Sequence, residues 1–355
     1  MKYNMKNIPA FFFMICMLAA CSERKNQARR DFIVAKGQMP NLVIDLEGKA
    51  HLVYGLGDSL MYAHSSDEGQ TFSKPSLIAV LPNLAAAHTR GPQIATTTKG
   101  LVVIACNTSG DIFSFAGTGA GNWQPTGKVN DVDTTAKENF LALSGDADNA
   151  FAVWLDLRGN KQNKIYGARS TDGGTTWSKN SLLYASPDST VCECCKPSVV
   201  IKGNNVYVMF RNWLQGNRDL YLLQSNDAGK SFAQAKKLGN GSWKLKGCPM
   251  DGGGLAVSDN GLIQTVWRRE GKIYAAIPGE AEKEIGEGKG STLTTVNEKP
   301  VYAWTENGEV IIVKPNGQKQ VLGKGSQPTV KALPKGKVMC VWENEKQIHA
   351  SVLEL

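Results

Sequence analysis

Ionisable side chains recur at one kind of position in this chain, directly after short apolar runs that end in an aromatic residue. Asp156 and Arg158 follow Trp154, Arg211 and Asn212 follow Phe210, and Arg268, Arg269 and Glu270 follow Trp267. Arg90 and Asp251 stand just ahead of further apolar runs. An arginine presents a planar fork that donates to both oxygens of a carboxylate. Arg90, Arg158, Arg211, Arg268 and Arg269 would therefore suit an anionic or sugar-like ligand, with Asp156, Asn212 and Asp251 beside them. For catalysis, Asp156 and Glu270 are the acid/base candidates and Tyr302 is the nucleophile candidate, although a tyrosine inside an apolar run equally fits a core. Charges gathered near one point are costly unless paired or used on a ligand, so salt bridging between neighbours is the competing reading.

The cysteines form a second group. Cys106 and Cys340 lie inside apolar runs and read as buried free thiols. Cys192, Cys194 and Cys195 precede Pro197, and Cys248 precedes Gly254. Both positions open inner strands of what reads as consecutive repeats, and neighbouring inner strands are the closest parts of such repeats. A disulfide from Cys248 to the 192–195 cluster, most simply to Cys192 or Cys194, is therefore expected in an oxidising compartment. The alternative is a thiolate site for Cu(I) or Zn(II); no other cofactor is indicated. The four histidines, His51, His64, His88 and His349, are scattered.

These residues need a scaffold, and internal repetition supplies it. A short run opening near Pro or Gly, a Gly/Asn turn and a second apolar run recur seven times, from Pro40 to Trp342, the second run ending in an aromatic in all but the second repeat. The pattern predicts an all-β propeller of seven four-stranded blades, with six as the alternative count, over residues 31–355. The last repeat has only three strands, and Phe32–Ala35 is the candidate that closes the ring and removes its exposed edges. In such a blade the start of the first strand and the end of the second share one face. The charged groups therefore collect at one axial mouth.

Three segments share the pattern S-x-D-x-G-x-[TS]-[FW]: Ser65–Phe72, Ser170–Trp177 and Ser225–Phe232. The aspartate can accept from turn amides and the glycine can take positive φ, so each reads as a structural hairpin turn on the face opposite the mouth. This motif is the Asp-box, and with the Trp154–Ser178 stretch it resembles the sialidase-like BNR-repeat propellers. VCECCKPSV, CPMDGG and VWRRE look more like an uncharacterised lipoprotein subgroup of that family. The resemblance implies a propeller and an exo-sialidase activity, which requires three carboxylate-binding arginines, a tyrosine nucleophile with its glutamate, and an aspartate acid/base. The family's first arginine precedes the first Asp-box, where this chain has Gln38-Met39-Pro40; Arg90-Gly91-Pro92 is similar but lies one repeat later.

The N-terminus sets the address. Lys2 and Lys6 precede the apolar run Ile8–Ala20, which is too short to span a bilayer and suits a signal peptide, residues 1–20. Leu18-Ala19-Ala20-Cys21 resembles the bacterial lipobox, with Cys21 the acylated residue and 21–30 a basic tether beside anionic headgroups. The expected setting is the bacterial cell envelope, the expected partners a membrane and a glycan or anionic small molecule, and the expected state a monomer. The net charge of +8 falls to +6 without Lys2 and Lys6, and no basic-aromatic block suggests nucleic acid.

Overall fold

The computed structural model describes residue 1, residues 31–119 and residues 121–355. The signal, lipobox and tether therefore lie outside the described residues. The described chain forms seven antiparallel four-stranded sheets, the blades of a propeller. Blade 1 is Gln38–Ile44, Ala50–Leu56, Ser59–Ser65 and Ser76–Val80, and blade 2 is Gln93–Thr97, Gly100–Cys106, Ile112–Gly117 and Trp123–Lys128. Blade 3 is Leu141–Asp146, Asn149–Asp156, Lys164–Ser170 and Ser181–Tyr184, and blade 4 is Ser198–Lys202, Asn205–Arg211, Leu220–Ser225 and Lys236–Lys237. Blade 5 is Gly254–Val257, Ile263–Arg269, Lys272–Ala276 and Lys283–Glu287, and blade 6 is Lys289–Val296, Lys299–Glu306, Glu309–Val313 and Lys319–Lys324. Blade 7 combines Ser326–Leu333, Lys337–Asn344 and Gln347–Glu354 with the N-terminal strand Phe32–Lys36. Within each blade the strands are lettered A to D from the axis outward.

Seven blades and the closing strand match the sequence expectation. Phe32 pairs with Ala350 and Lys36 with Gln347. That pairing covers the outer edge of the C strand of blade 7, which would otherwise present unpaired amides and carbonyls.

The periodicity has a packing cause. The B strands are buried on both faces because each blade is sandwiched between two others, and their late positions carry large aromatics. Tyr54, Trp154, Phe210, Trp304 and Trp342 are at most 1% exposed, and Trp267 is 3% exposed. Truncating such a ring in a packed core costs about 3–5 kcal/mol. Blades 6 and 7 need glycine where strand A begins, at Gly288 (φ 143°) and Gly325 (φ 138°). A Cβ there would lie 2.6 Å from the Trp304 ring and 2.5 Å from the Trp342 ring of the same blade.

The three S-x-D-x-G-x-[TS]-[FW] segments join strands C and D of blades 1, 3 and 4. In the first, Asp67 accepts the Thr71 amide (2.9 Å), the Thr71 hydroxyl (2.6 Å) and the Ser65 hydroxyl (2.7 Å), while Ser65 Oγ accepts the Gly69 amide (2.9 Å). Asp172 and Asp227 repeat this set with Ser170, Thr176, Ser225 and Ser231. Glu68 pairs with Lys335 and Lys337 at the A–B turn of blade 7, which places the segment on the face opposite the B-strand ends.

Candidate functional site

The predicted charged residues do meet at one end of the propeller, because strand A starts where strand B ends: Leu141 pairs with Trp154, Ser198 with Met209 and Gly254 with Val266. Their contacts divide them sharply.

Asp156, at the end of strand B in blade 3, is fully buried. It accepts from the Trp154 indole (2.8 Å), the Thr135 hydroxyl (2.9 Å), the Arg158 amide (2.8 Å) and the Arg158 guanidinium (2.9 and 2.8 Å). Burial alone would raise its carboxyl pKa. The hydrogen bonds from Arg158 and Trp154 outweigh that and hold it below the usual carboxylate range. A carboxylate held this way has no proton to give and no vacant lone pair for a substrate. Arg158 also donates to Asp131 and Asn180 and lies over the Tyr166 ring.

Arg211 differs most from its sequence expectation. Its side chain is 1% exposed, and its nitrogens donate to the carbonyls of Asp251 (3.0 Å), Arg218 (2.7 Å) and Arg268 (2.9 Å). It tethers blades 4 and 5 rather than reaching toward a ligand. Arg269 is bound to Glu282 (2.5 Å) and covers Tyr274. Arg90 donates to the Glu138 carbonyl (2.8 Å) and stacks on Phe140. Asn212 is buried and donates to the Tyr184 hydroxyl (2.9 Å). Arg268 is the least satisfied of the five arginines: one donor reaches the Pro249 carbonyl at 3.4 Å, and its buried Nε has no partner. The salt-bridging reading therefore holds for Arg158 and Arg269, and backbone anchoring accounts for Arg211.

The nucleophile and acid/base candidates do not converge. Tyr302 lies within strand B of blade 6, opposite Leu293 and Val313, and packs against the apolar cluster of Val266, Leu293 and Trp304. Burial raises its hydroxyl pKa, which opposes nucleophilic use. Glu270 sits exposed on the B–C turn of blade 5. Asp156, Glu270 and Tyr302 thus occupy three different blades and share no hydrogen bond among the described residues.

Beneath the rim lies an axial cavity of about 200 Å³, lined by first strands and their approaches from all seven blades. Its wall holds two cations that the sequence did not single out: Lys196, just ahead of blade 4, and Lys331, in the A strand of blade 7. Lys196 donates to Gln93 of blade 2 (2.8 Å), across the ring. Among the described residues neither lysine has a carboxylate within ion-pair distance. Burial, with a smaller contribution from the Lys331 charge, depresses the Lys196 ammonium to about 8, and burial lowers Lys331 as well. Asp251 shares the wall, accepting the Gly290 amide at 2.7 Å. Burial raises its carboxyl pKa, and the Arg211 charge only partly opposes that. A lysine at a strand end reads as solvated in a sequence; only ring closure turns these two toward the axis.

The cysteine expectation is met. Cys194 and Cys248 form a disulfide with Cα atoms 6.2 Å apart, closing a 54-residue separation between blades 4 and 5. Such a loop contributes about 4 kcal/mol in the chain-entropy model. Cys106 and Cys340 are buried free thiols, as expected. Cys192 and Cys195 remain free and buried, with Cys192 Sγ 3.3 Å from Cys195 and 3.7 Å from Cys194. The Cys195 thiol and the Arg218 and Arg211 charges lower the Cys192 pKa against its burial, while burial and Cys192 raise that of Cys195.

No protein-family model and no curated protein matches the sequence. Solved structures do match in fold. An ulvan lyase of polysaccharide lyase family PL25 aligns at TM-score 0.55 with 10% identity, over 92% of this chain and 96% of that one. A protein of unknown function from Dyadobacter fermentans aligns at TM-score 0.51 with 16% identity, over 93% and 99%. The NanB sialidase from Streptococcus pneumoniae aligns at TM-score 0.47 with 12% identity, over 92% and 70%. At such identities the likeness is one of fold, and the ulvan lyase and the Dyadobacter protein agree with the propeller described above.

Proposed function

We propose that this chain is an exported, lipid-anchored, sialidase-like propeller that binds an anionic ligand, an acid or sulfated sugar, at its axial mouth without hydrolysing it. The observation that carries this reading is the pair Lys196 and Lys331. Two ammonium groups face one cavity with no carboxylate, Asp251 included, at ion-pair distance among the described residues, an arrangement that an entering anion would stabilise. The ulvan lyase of similar fold is bound to -[GlcA(1-4)Rha3S]-, an acidic sugar repeat, which supports a ligand of that class. Asp156 is saturated by donors and Tyr302 is packed among apolar side chains, which favours binding over hydrolysis.

The test is calorimetric titration of the full chain in detergent with glucuronate, sialic acid, sulfated oligosaccharides and their neutral counterparts. An acidic sugar should bind and a neutral one should not. Lys331→Met should weaken binding by about 10–100-fold, the loss of one charge-assisted hydrogen bond. If no acidic sugar binds, or if Lys331→Met binds as tightly as wild type, the reading fails. The anchor is tested separately: Cys21→Ser should release the protein from the membrane fraction.

A further inference from the structure

We propose that the Cys192–Cys194–Cys195–Cys248 cluster, once its disulfide is reduced, is a thiolate site for a soft d10 cation, Cu(I) or Zn(II). The site is distinct from the axial cavity and independent of the anion-binding reading.

The sulfurs already converge. Those of Cys192, Cys194 and Cys195 all lie within 4.8 Å of one another, and Cys248 is joined to Cys194. Contacts of 3.3 and 3.7 Å from Cys192 to its neighbours approach the separation of sulfurs about a common ion, roughly 3.7 Å for a tetrahedral site with 2.3 Å bonds. Cys192 and Cys195 also have the C-x2-C spacing of thiolate metal sites, a signal present in the sequence. Three sulfurs suit trigonal Cu(I), and Cys248 would complete a tetrahedral set for Zn(II).

The surroundings favour a metal–thiolate centre over an inert thiol pair. A site of three or four thiolates carries net negative charge, which burial penalises unless cations stand near. Arg218 donates to Cys192 Sγ at 3.0 Å, and its side chain is 3% exposed. Arg211 lies behind it, its carbonyl accepting the Cys192 amide at 3.0 Å and one of its own nitrogens reaching the Arg218 carbonyl. A buried N–H to sulfur contact of this kind fixes a ligand and tunes its metal from the outer shell. Access exists on one side: Cys192, Cys194 and Cys195 are buried, whereas Cys248 and its neighbours Lys246 and Gly247 are exposed. A reductant can therefore reach the disulfide from solvent.

A dithiol of the thioredoxin class attacks the Cys194–Cys248 bond and ends as a disulfide; its two electrons and two protons leave Cys194 and Cys248 as thiols. The arriving cation then displaces protons to solvent as each coordinating thiol becomes a thiolate.

The full chain in detergent, reduced and then desalted under anaerobic conditions, is loaded with Cu(I) or Zn(II) in separate arms against a competing chelator. The bound metal is measured by elemental analysis, and folding is followed by circular dichroism. The expected result is one tightly held ion per reduced, folded chain in at least one arm. The oxidised protein should lose it, and so should Cys192→Ser. Arg218→Gln, which keeps every ligand, should weaken affinity by about 10–100-fold. Should Cys192→Ser fail to fold, Arg218→Gln and the oxidised wild type still decide the matter. No metal on the reduced, folded wild type would overturn the proposal, as would equal retention by the oxidised protein.

Discussion

The rim of the mouth and the wall of the cavity beneath it treat their cations in opposite ways. On the rim, Arg158 is locked to Asp156 and Asp131, Arg269 to Glu282, and Arg211 to three carbonyls. On the wall, Lys196 has only the neutral Gln93 for a partner, and neither lysine has a carboxylate at ion-pair distance among the described residues. The rim arginines are neutralised by carboxylates or anchored to carbonyls, Arg211 joining blades 4 and 5, and the wall lysines add charge with no carboxylate, Asp251 included, at ion-pair distance among the described residues. An arginine-rich mouth is therefore weaker evidence for a ligand than a lysine with nothing to neutralise it.

Asp156→Ala should give the largest effect separating the two regions. It leaves the Arg158 guanidinium without its buried carboxylate, and removal of one partner of such a pair costs about 3–5 kcal/mol. Urea unfolding should show that loss; a change below about 1 kcal/mol, against the roughly 3–5 expected, would mean the rim is not structural. Asp172→Ala, on the opposite face, should cost about 1–3 kcal/mol through its lost turn hydrogen bonds. Acidic-sugar affinity of the folded protein should be unchanged in that variant, and a selective loss of binding at full stability would contradict the assignment of faces. Lys331→Met and Lys196→Met should each leave stability at neutral pH no lower than wild type, since each removes a half-buried charge with no ion-pair partner. A clear drop in the midpoint of thermal unfolding would place these lysines with the rim.

The smallest effect is a drift with pH. The folded-state pKa of Lys196 is depressed to about 8 from an ordinary 10.5. Its charge is therefore fully present well below pH 8 and is lost as pH rises through that value. Anion affinity should decline over the same interval, and Lys196→Met should flatten the profile. Over that window the unfolded chain holds the proton more tightly than the folded one, so stability should rise with pH as affinity falls.

Much of this architecture is legible in the sequence for identifiable reasons. Seven blades can be counted because each B strand must be buried on both faces and is a run of apolar residues, which in six of the seven carries an aromatic late in the strand, as Trp154, Trp304 and Trp342 do. The Cys194–Cys248 bond can be anticipated because both residues precede inner strands of neighbouring blades. The division among the charges cannot. Nothing in the spacing of Arg211 says that three carbonyls from three separate segments will surround it, and Lys331 looks like any strand lysine until the ring fixes its direction. Cys192 and Cys195 are the intermediate case, since their spacing is visible and its use depends on Arg218, 26 positions from Cys192.

The closing of blade 7 has a consequence in time. Phe32 pairs with Ala350, residues separated by almost the whole propeller. A chain emerging from its N-terminus makes this strand first and can complete the ring only after the last C strand has arrived. Until then Phe32–Ala35 is an apolar strand awaiting the C strand of blade 7, open to capture by another chain. Closure over so long a loop meets its entropy cost late, after the local hairpins of blades 1 to 6 can already have formed. The final registration of this strand should therefore be the slow, concentration-sensitive step of maturation, and dilution or a holding chaperone should matter most in that interval.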